Sequence, residues 1–438
     1  MSANPDRAPA LNPLALPGAP FLKRRGADLF LDGVDLAALA GEHGTPLYVY
    51  SRGAMRAAAA AYQSAFAGRK HLLCYAMKAN SSLAVLQTFA DMGWGFDIVS
   101  GGELERVLAI GADPAKVVFS GVGKTAAEMA RALEVGVLCF NVESEDELAL
   151  LSQIATAQGR EAAISLRVNP DVDSRTHPYI STGLKGSKFG IAHDCALAVY
   201  QRAARLPGIV VKGIDCHIGS QITSIAPYLD ALERLLDLIT QIEASEIGIG
   251  IDHIDLGGGL GITYTDEQPP SADALVASLL ARIDARGHGH RTVLMEPGRS
   301  LVGNAGVLLA EVLVLKPGEA KNFCIVDAAM NDLVRPAMYG AWMGIVPCHE
   351  RSDVPSLAWD VVGPVCESGD WLGRDRKLAL RRGDVLAVLS AGAYAMAMAS
   401  NYNTRGRAAE VMVDAGRSAL IRRREMPAEL FAGERIWD

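Results

Sequence analysis

The sequence predicts an α/β protein: a (β/α)8 TIM barrel followed by a second, mainly β domain of sandwich or barrel-like form. Three observations carry this expectation. Between residues 72 and 295, eight short apolar runs alternate with stretches of helical periodicity. Right-handed crossovers would then place every strand C-terminus on one face. Beyond Arg299 the helices thin out, and β-type runs follow one another across loops containing Pro and Gly. The length of 438 residues suits one barrel of about 250 residues plus a second module.

Taken in order, Phe30 to Val34 and Leu47 to Tyr50 read as strands separated by the turn-prone Glu42-His43-Gly44-Thr45-Pro46. Four β/α units pair strands Leu72 to Met77, Phe96 to Val99, Val117 to Phe119 and Val137 to Val142 with helices Leu83 to Met92, Glu103 to Ile110, Ala126 to Val135 and Glu145 to Ala157. Four more strands follow at Ala163 to Val168, Val211 to Ile218, Ile251 to Leu256 and Thr292 to Met295, with helices at Cys195 to Leu206, Pro227 to Ala244 and Ala272 to Ala285. Strands of the second domain are expected at Gly306 to Val314, Asn322 to Val326, Ala358 to Val362, Val385 to Leu389 and Glu410 to Val413. The implied boundaries are 46–299 for the barrel and 300–438 for the β domain, with residues 1–45 a leading segment that partly joins the β domain; the early strands before residue 50 could pair with that domain and make it discontinuous.

A formal charge of −8 and a pI near 5.7 speak against a polyanionic partner, and no stretch dense in Lys and Arg marks a nucleic-acid surface. Small-molecule substrates are the better match. Seven cysteines, at 74, 139, 195, 216, 324, 348 and 366, include no CxxC pair, so neither a zinc site nor a disulfide framework is indicated and a reducing compartment is expected. The first 20 residues lack a basic start leading into a long apolar core, and no apolar run reaches the length of about 18 that a membrane span requires. A cytoplasmic protein with no membrane association and no metal is expected.

Chemistry-bearing residues gather at the strand ends. The run Leu72 to Met77 delivers Lys78 to the end of the first barrel strand, just before Asn80 and Ser81 break the pattern. Strand six runs out in Cys216-His217-Ile218-Gly219-Ser220-Gln221, strand seven in Asp255-Leu256-Gly257-Gly258-Gly259-Leu260-Gly261, and strand eight in Glu296-Pro297-Gly298-Arg299. Singly, each has an ordinary reading: a solvated lysine, a satisfied edge histidine, a tight glycine turn. On one rim they acquire a common use. Consecutive glycines leave backbone N–H groups open to an anion, barrel loops after strands seven and eight frequently bind phosphate, and a guanidinium grips it bidentately. The set suits a phosphorylated, electron-withdrawing cofactor held by a lysine imine. Two nucleotide motifs fail on inspection: Gly121-Val122-Gly123-Lys124-Thr125 lacks the first P-loop glycine, where Val118 stands, and the glycine run from 257 meets Ile262 where GxGxxG requires glycine.

The motifs Tyr75-Ala76-Met77-Lys78-Ala79-Asn80, His217 to Gln221, Gly257 to Gly259, Glu296 to Arg299 and Cys366-Glu367-Ser368-Gly369-Asp370 resemble those of the fold-type III pyridoxal-phosphate decarboxylases, and among them the diaminopimelate decarboxylases. The resemblance runs in order through both domains, from about residue 45 to about residue 425. It implies pyridoxal 5'-phosphate as cofactor, with Lys78 as its imine partner, His217 stacked on its ring, and Ser220, Gly257, Gly258, Gly259, Arg299 and Tyr394 around its phosphate. Glu296 would face the ring nitrogen, where a carboxylate favours the protonated, more electron-withdrawing ring. A homodimer with shared active sites is implied as well. In it Cys366 arrives from the neighbouring subunit to protonate the α-carbon, and Glu367 helps to hold the substrate's distal amine.

The stretch Asp327 to Gly340 resembles the segment with which that group holds a distal carboxylate, and Arg335 and Tyr339 are the matching positions, joined on the substrate by Arg299 and Tyr394. A guanidinium clasps a carboxylate but repels the terminal cation of ornithine or arginine. The implied reaction is therefore the carboxy-lyase conversion of meso-2,6-diaminopimelate to L-lysine and carbon dioxide, the last step of lysine biosynthesis. A decarboxylase of ornithine, arginine or carboxynorspermidine is the alternative. For Arg335 itself the plainer reading is a structural pair with Asp332. The loop His177-Pro178-Tyr179-Ile180-Ser181-Thr182-Gly183, with Lys185 and Lys188, resembles a family motif; its length suits a lid over the site, and its composition suits a flexible solvated loop equally. Trp342-Met343 and Ala395-Met396-Ala397-Met398 depart from the usual pattern, which bears on pocket shape more than on cofactor binding.

Overall fold

A computed structural model describes residues 16–173, 177, 180, 182–184, 186–245 and 248–437, and divides them into two compact units. The barrel unit comprises Ala58–Gly261 and Pro269–Ser300. Its eight strands are His71–Ala76, Gly95–Ile98, Val117–Phe119, Cys139–Val142, Ala162–Asn169, Ile209–Asp215, His253–Asp255 and Thr292–Met295. Each pairs in parallel with the next, and strand eight returns to strand one, with Val293, Leu294 and Met295 opposite His71, Leu72 and Leu73. The sheet is closed, so every strand C-terminus shares one rim.

Side-chain caps fix where the helices begin. Ser100, Ser144 and Ser271 accept from the N–H groups of Glu103, Glu147 and Ala274, starting helices Gly101–Ala109, Glu145–Ala157 and Ala272–Ala285. Thr125 and Glu128 form a reciprocal capping box at the head of Ala126–Val135. This accounts for the segment that resembles the end of a P-loop. Thr125 is a cap, and Lys124 is buried, its ammonium donating to Glu147 at 2.6 Å and to the carbonyls of Gly121 and Asn141 at 2.8 Å each.

The β unit takes the chain up to Ala57, together with Ile262–Gln268 and everything from Leu301. One sheet runs in the order Trp371–Leu378, Leu357–Val362, Phe323–Val326, Gly306–Lys316, Leu47–Ser51, Ala409–Asp414, Arg417–Arg422. Leu47–Ser51, on the barrel side of the expected boundary at residue 46 but among the early strands expected to be able to pair with the β domain, is an inner strand of this sheet. It is antiparallel to Gly306–Lys316 on one side and parallel to Ala409–Asp414 on the other, and buried along its whole length. Its apolar run reads alike for either sheet, and only its long-range partners decide. An N-terminal hairpin, Leu22–Arg25 with Asp28–Leu31, packs Leu22, Leu29 and Leu31 against Leu47, Val49, Leu309 and Val411 in one core. Strands Ile345–Pro347, Trp371–Leu378 and Arg417–Arg422 escaped the sequence reading. The second carries four charged residues and the third is largely exposed, so neither shows a buried alternation. Among the described residues no helix is long and apolar enough to cross a membrane.

Candidate active site

Strand one ends at Ala76 and turns at once into a single 3₁₀ turn, Met77–Ala79, so Lys78 leaves the sheet with its side chain half-buried at the rim. Its ammonium lies 2.7 Å from Oδ2 of Asp97, a wholly buried carboxylate on strand two. Neighbouring strand ends are stitched together. Ala76 donates its N–H to the Pro297 carbonyl at 3.1 Å, and Glu296 donates its own to Gly257 at 2.8 Å.

Below Lys78 the barrel interior is acidic. Carboxyl oxygens of Asp215, Asp255 and Glu296 lie within 4.8 Å of one another, and all three residues are buried. Burial, reinforced by Asp255, Asp97 and Asp215, holds the Glu296 carboxyl well above the usual carboxylate range. Burial and Asp255 likewise raise Asp215, against the pull of Arg167. Asp255 is pushed up to about 6 by burial, moderated by the N–H of Gly257 and by its hydrogen bond with Glu296. Carboxyls this close in a low-dielectric site cannot all ionise, so the cluster retains protons at neutral pH. Asn141 donates to Glu296 at 3.4 Å. Arg167, which donates to Glu143 at 2.9 Å and stacks on Phe189, supplies a nearby cation. The trio has the spacing of a metal site; one oxygen of each aspartate, Oδ1 of Asp215 and Oδ2 of Asp255, has no hydrogen-bond partner among the described residues.

Just past the acids, on the same three strands, stand His217, the glycine turn and Arg299. His217 follows strand six, and burial, with Arg167 and Lys78 nearby, holds its imidazole well below the ordinary value, so the ring is neutral. Its Nδ1 accepts the Gly258 N–H at 3.1 Å, which assigns the ring proton to Nε2. The glycine turn differs from expectation here. Gly257 gives its N–H to Asp255 at 2.9 Å and Gly258 gives its own to His217, so of the three only Gly259 has an N–H without an acceptor among the described residues. The glycines are needed for closeness: a Cβ on Gly258 would sit 2.1 Å from the Glu296 carbonyl. Arg299 is buried and donates to the Ser220 hydroxyl at 2.8 Å, joining the ends of strands six and eight.

The β unit carries the remaining predicted residues. Arg335 is buried at the first position of the short helix Arg335–Tyr339, where Pro336 suits a helix start. Its guanidinium lies 5.0 Å from the ring centre of Tyr264 and 5.7 Å from that of Tyr339. Asp332, the expected structural partner, is turned elsewhere: it accepts the Ala329 N–H at 3.0 Å and has Arg405 at 4.0 Å. Beyond the helix, Trp342 lies under the guanidinium of Arg376 at 3.9 Å and Met343 is fully buried. Cys366 and Glu367 are exposed on a tight loop, with the Cys366 N–H bound to Asn403 and that of Gly369 bound to Glu367. Tyr394 is half-buried with φ of 54°, a left-handed conformation that a tyrosine rarely adopts.

Asp97, Asn141, Arg167, Asp215, Asp255 and Tyr264 were not singled out from sequence. A charged residue inside an apolar strand, as in Gly95-Phe96-Asp97-Ile98, was the available signal; Tyr264 carried none. Of the loop suited to a lid, Pro178, Tyr179, Ser181 and Lys185 lie outside the described residues. Thr182 is described and donates to the His217 carbonyl at 2.8 Å.

Known proteins share this arrangement at length. Residues 52–303 match the family model described as pyridoxal-dependent decarboxylase, pyridoxal binding domain. The diaminopimelate decarboxylase of Pseudomonas aeruginosa is 59% identical over 412 residues, 94% of this chain and 98% of that one. That of Vibrio cholerae is 54% identical over 416 residues, 95% and 99% of the two chains. The crystal structure of diaminopimelate decarboxylase from Helicobacter pylori complexed with L-lysine superposes with a TM-score of 0.86 at 39% identity, covering 91% of this chain and 98% of that one. With such identity sustained across both units, the chain belongs to the diaminopimelate decarboxylase family of pyridoxal-dependent decarboxylases.

Proposed function

We propose that this chain decarboxylates meso-2,6-diaminopimelate to L-lysine and carbon dioxide with pyridoxal 5'-phosphate, as the last step of lysine biosynthesis. The observation that carries the choice of substrate is Arg335, a buried guanidinium beside the rings of Tyr264 and Tyr339. Such a group accepts a distal carboxylate and disfavours the distal cation of ornithine or arginine.

The barrel residues fit the cofactor. Its two ends ask for opposite chemistry, and the rim offers it: the Gly259 N–H, Ser220 and Arg299 are donors suited to a phosphate, and buried carboxyls await a protonated ring nitrogen. We assign Lys78 to the covalent attachment, His217 to the ring face, Glu296 to the ring nitrogen, and Tyr394 with Gly257 and Gly258 to the phosphate's surroundings. When bound, the cofactor supplies an electron sink for the pair released as the α-carboxylate departs. The chain does the rest. Neutral His217 presents an uncharged face, and the crowded acids hold a proton beside Glu296. Arg335, Tyr339 and Glu367 orient the substrate's far end, and the thiol of Cys366 delivers the proton that replaces the lost carboxylate on the α-carbon.

We assign Cys366 and Glu367 to the site of a second copy in a homodimer; their exposure on a tight loop supports that reading. Seven free thiols support a reducing, cytoplasmic compartment. Carbon dioxide release from meso-diaminopimelate, L-ornithine and L-arginine, measured in parallel with added cofactor, tests the substrate: lysine formed from diaminopimelate alone is expected, and release from ornithine or arginine overturns the role of Arg335. Mixing inactive Lys78→Ala and Cys366→Ala chains tests the shared site. Restored activity is expected, and none despite proven subunit exchange refutes sharing.

A further inference from the structure

We propose that Asp370 is a positioning residue that latches the loop bearing Arg335 to the loop bearing Cys366 and Glu367. The inference rests on the functional reading above for what the two loops do, but its geometry stands apart from it. Asp370 is 3% exposed, and each carboxylate oxygen accepts from a different loop. Oδ1 takes the Met330 N–H at 2.7 Å, and Oδ2 takes the Val365 N–H at 2.8 Å. Met330 begins the turn that leads into helix Arg335–Tyr339, and Val365 immediately precedes Cys366.

The backbone closes the same knot. Asp370 donates its N–H to the Glu367 carbonyl at 3.0 Å, and its own carbonyl accepts the Gly363 N–H at 3.2 Å. A Cβ on Gly363 would lie 2.4 Å from Oδ2 of Asp370 and 2.7 Å from Cα of Ala329, so glycine there is what lets the two loops approach. A buried carboxylate with two short backbone donors is strongly oriented. A carboxylate is also the one acceptor that can serve two N–H groups through two equivalent oxygens, whereas an amide can offer only one oxygen. With Cys366 and Glu367 serving the second copy's site, Asp370 would tie, within one chain, the loop that recognises the distal carboxylate in one active site to the loop that protonates the α-carbon in the other.

Hydrogen–deuterium exchange on the cofactor-loaded protein tests the latch without reference to turnover. In Asp370→Asn, exchange at Met330 and Val365 is expected to rise together by about tenfold or more: the amide NH2 cannot accept, so one donor is freed outright, and loops that are latched to each other open as one unit. Gly363→Ala, which displaces the carboxylate without removing it, is expected to raise both in the same way. A rise confined to one loop, or to neither, overturns the coupling. Kinetics then read the positioning role. Asp370→Asn is expected to raise KM for meso-diaminopimelate and lower kcat, each by about tenfold, with the Lys78 imine absorbance unchanged. In an Arg335→Gln background the KM effect should vanish, because a displaced group that is already absent cannot be displaced again. Full additivity would reduce Asp370 to a structural residue. If the wild-type enzyme failed to turn over diaminopimelate, the functional reading would fall, while the exchange result would still decide the latch.

Discussion

Nζ of Lys78 and Oδ2 of Asp97 are 2.7 Å apart, an ion pair between the ends of adjacent barrel strands. The carboxylate is buried and rigid, the ammonium half-exposed and tethered by a long stem, so Asp97 fixes the amine more than the amine fixes it. Removing it should cost orientation and leave the nucleophile in place. Asp97→Ala is expected to form the imine absorbance more slowly and to lower kcat by about tenfold to a hundredfold, whereas Lys78→Ala loses the absorbance entirely. An Asp97→Ala enzyme with unchanged loading rate and kcat would show that the pair is incidental.

The acid cluster predicts an opposition between stability and activity. Burial and like charges raise the Glu296 carboxyl, so the folded chain binds that proton more tightly than the unfolded chain. The stability it contributes is therefore greatest below the unfolded pKa and is lost as pH rises through the folded one. Without cofactor, Glu296→Gln should lose less stability than wild type between about pH 5 and about pH 8, measured by urea denaturation, while kcat falls by about a hundredfold or more. Equal slopes for the two proteins would mean that Glu296 carries no excess proton.

How far the sequence could be read follows the range of each interaction. Lys78, His217, Glu296 and Arg299 were legible because a strand ending in a polar residue is a local signal, and barrel topology then gathers such ends on one rim. The boundary at residue 46 divides strand Leu47–Ser51 from its sheet, and the pairing open to the early strands is decided only by partners hundreds of positions away, Gly306–Lys316 and Ala409–Asp414. The donors of Gly257 and Gly258 were counted as open because only the fold shows that Asp255 and His217 take them. Tyr264 was invisible for the same reason, since its relation to Arg335 crosses some seventy residues of chain.

The role proposed for Arg335 would separate recognition from chemistry. It gives the residue no part in cofactor attachment, so Arg335→Gln should leave the imine absorbance intact and raise KM for meso-diaminopimelate by about tenfold to a hundredfold. Arg335→Lys keeps the charge but loses the planar fork, and an intermediate KM is expected. Neither variant should gain turnover of ornithine, because removing a repulsion does not build a site for a cation. Unchanged KM in both variants would return Arg335 to a structural role.

His253 gives the fold an acid limit that is separate from the site. It sits at the start of strand seven with its Nε2 2.8 Å from the Ser165 hydroxyl, and Gly213 lies so close that a Cβ there would be 2.1 Å from the ring. Burial pushes the imidazole down from 6.5 to about 4. The folded chain thus holds the ring neutral where the unfolded chain would protonate it. Unfolding is favoured as pH falls below the unfolded value, and the penalty saturates once pH drops past the folded one. Between about pH 7 and about pH 5 this one group should remove about 2 kcal/mol of stability. His253→Gln retains a hydrogen-bonding group for Ser165 but cannot titrate, so it should start less stable, for loss of ring packing, and show a shallower decline over that interval. Urea denaturation of the two proteins at both pH values measures the difference in slope, and parallel declines would mean that the imidazole is already charged in the native barrel or that its charging is relieved by water entering beside Ser165.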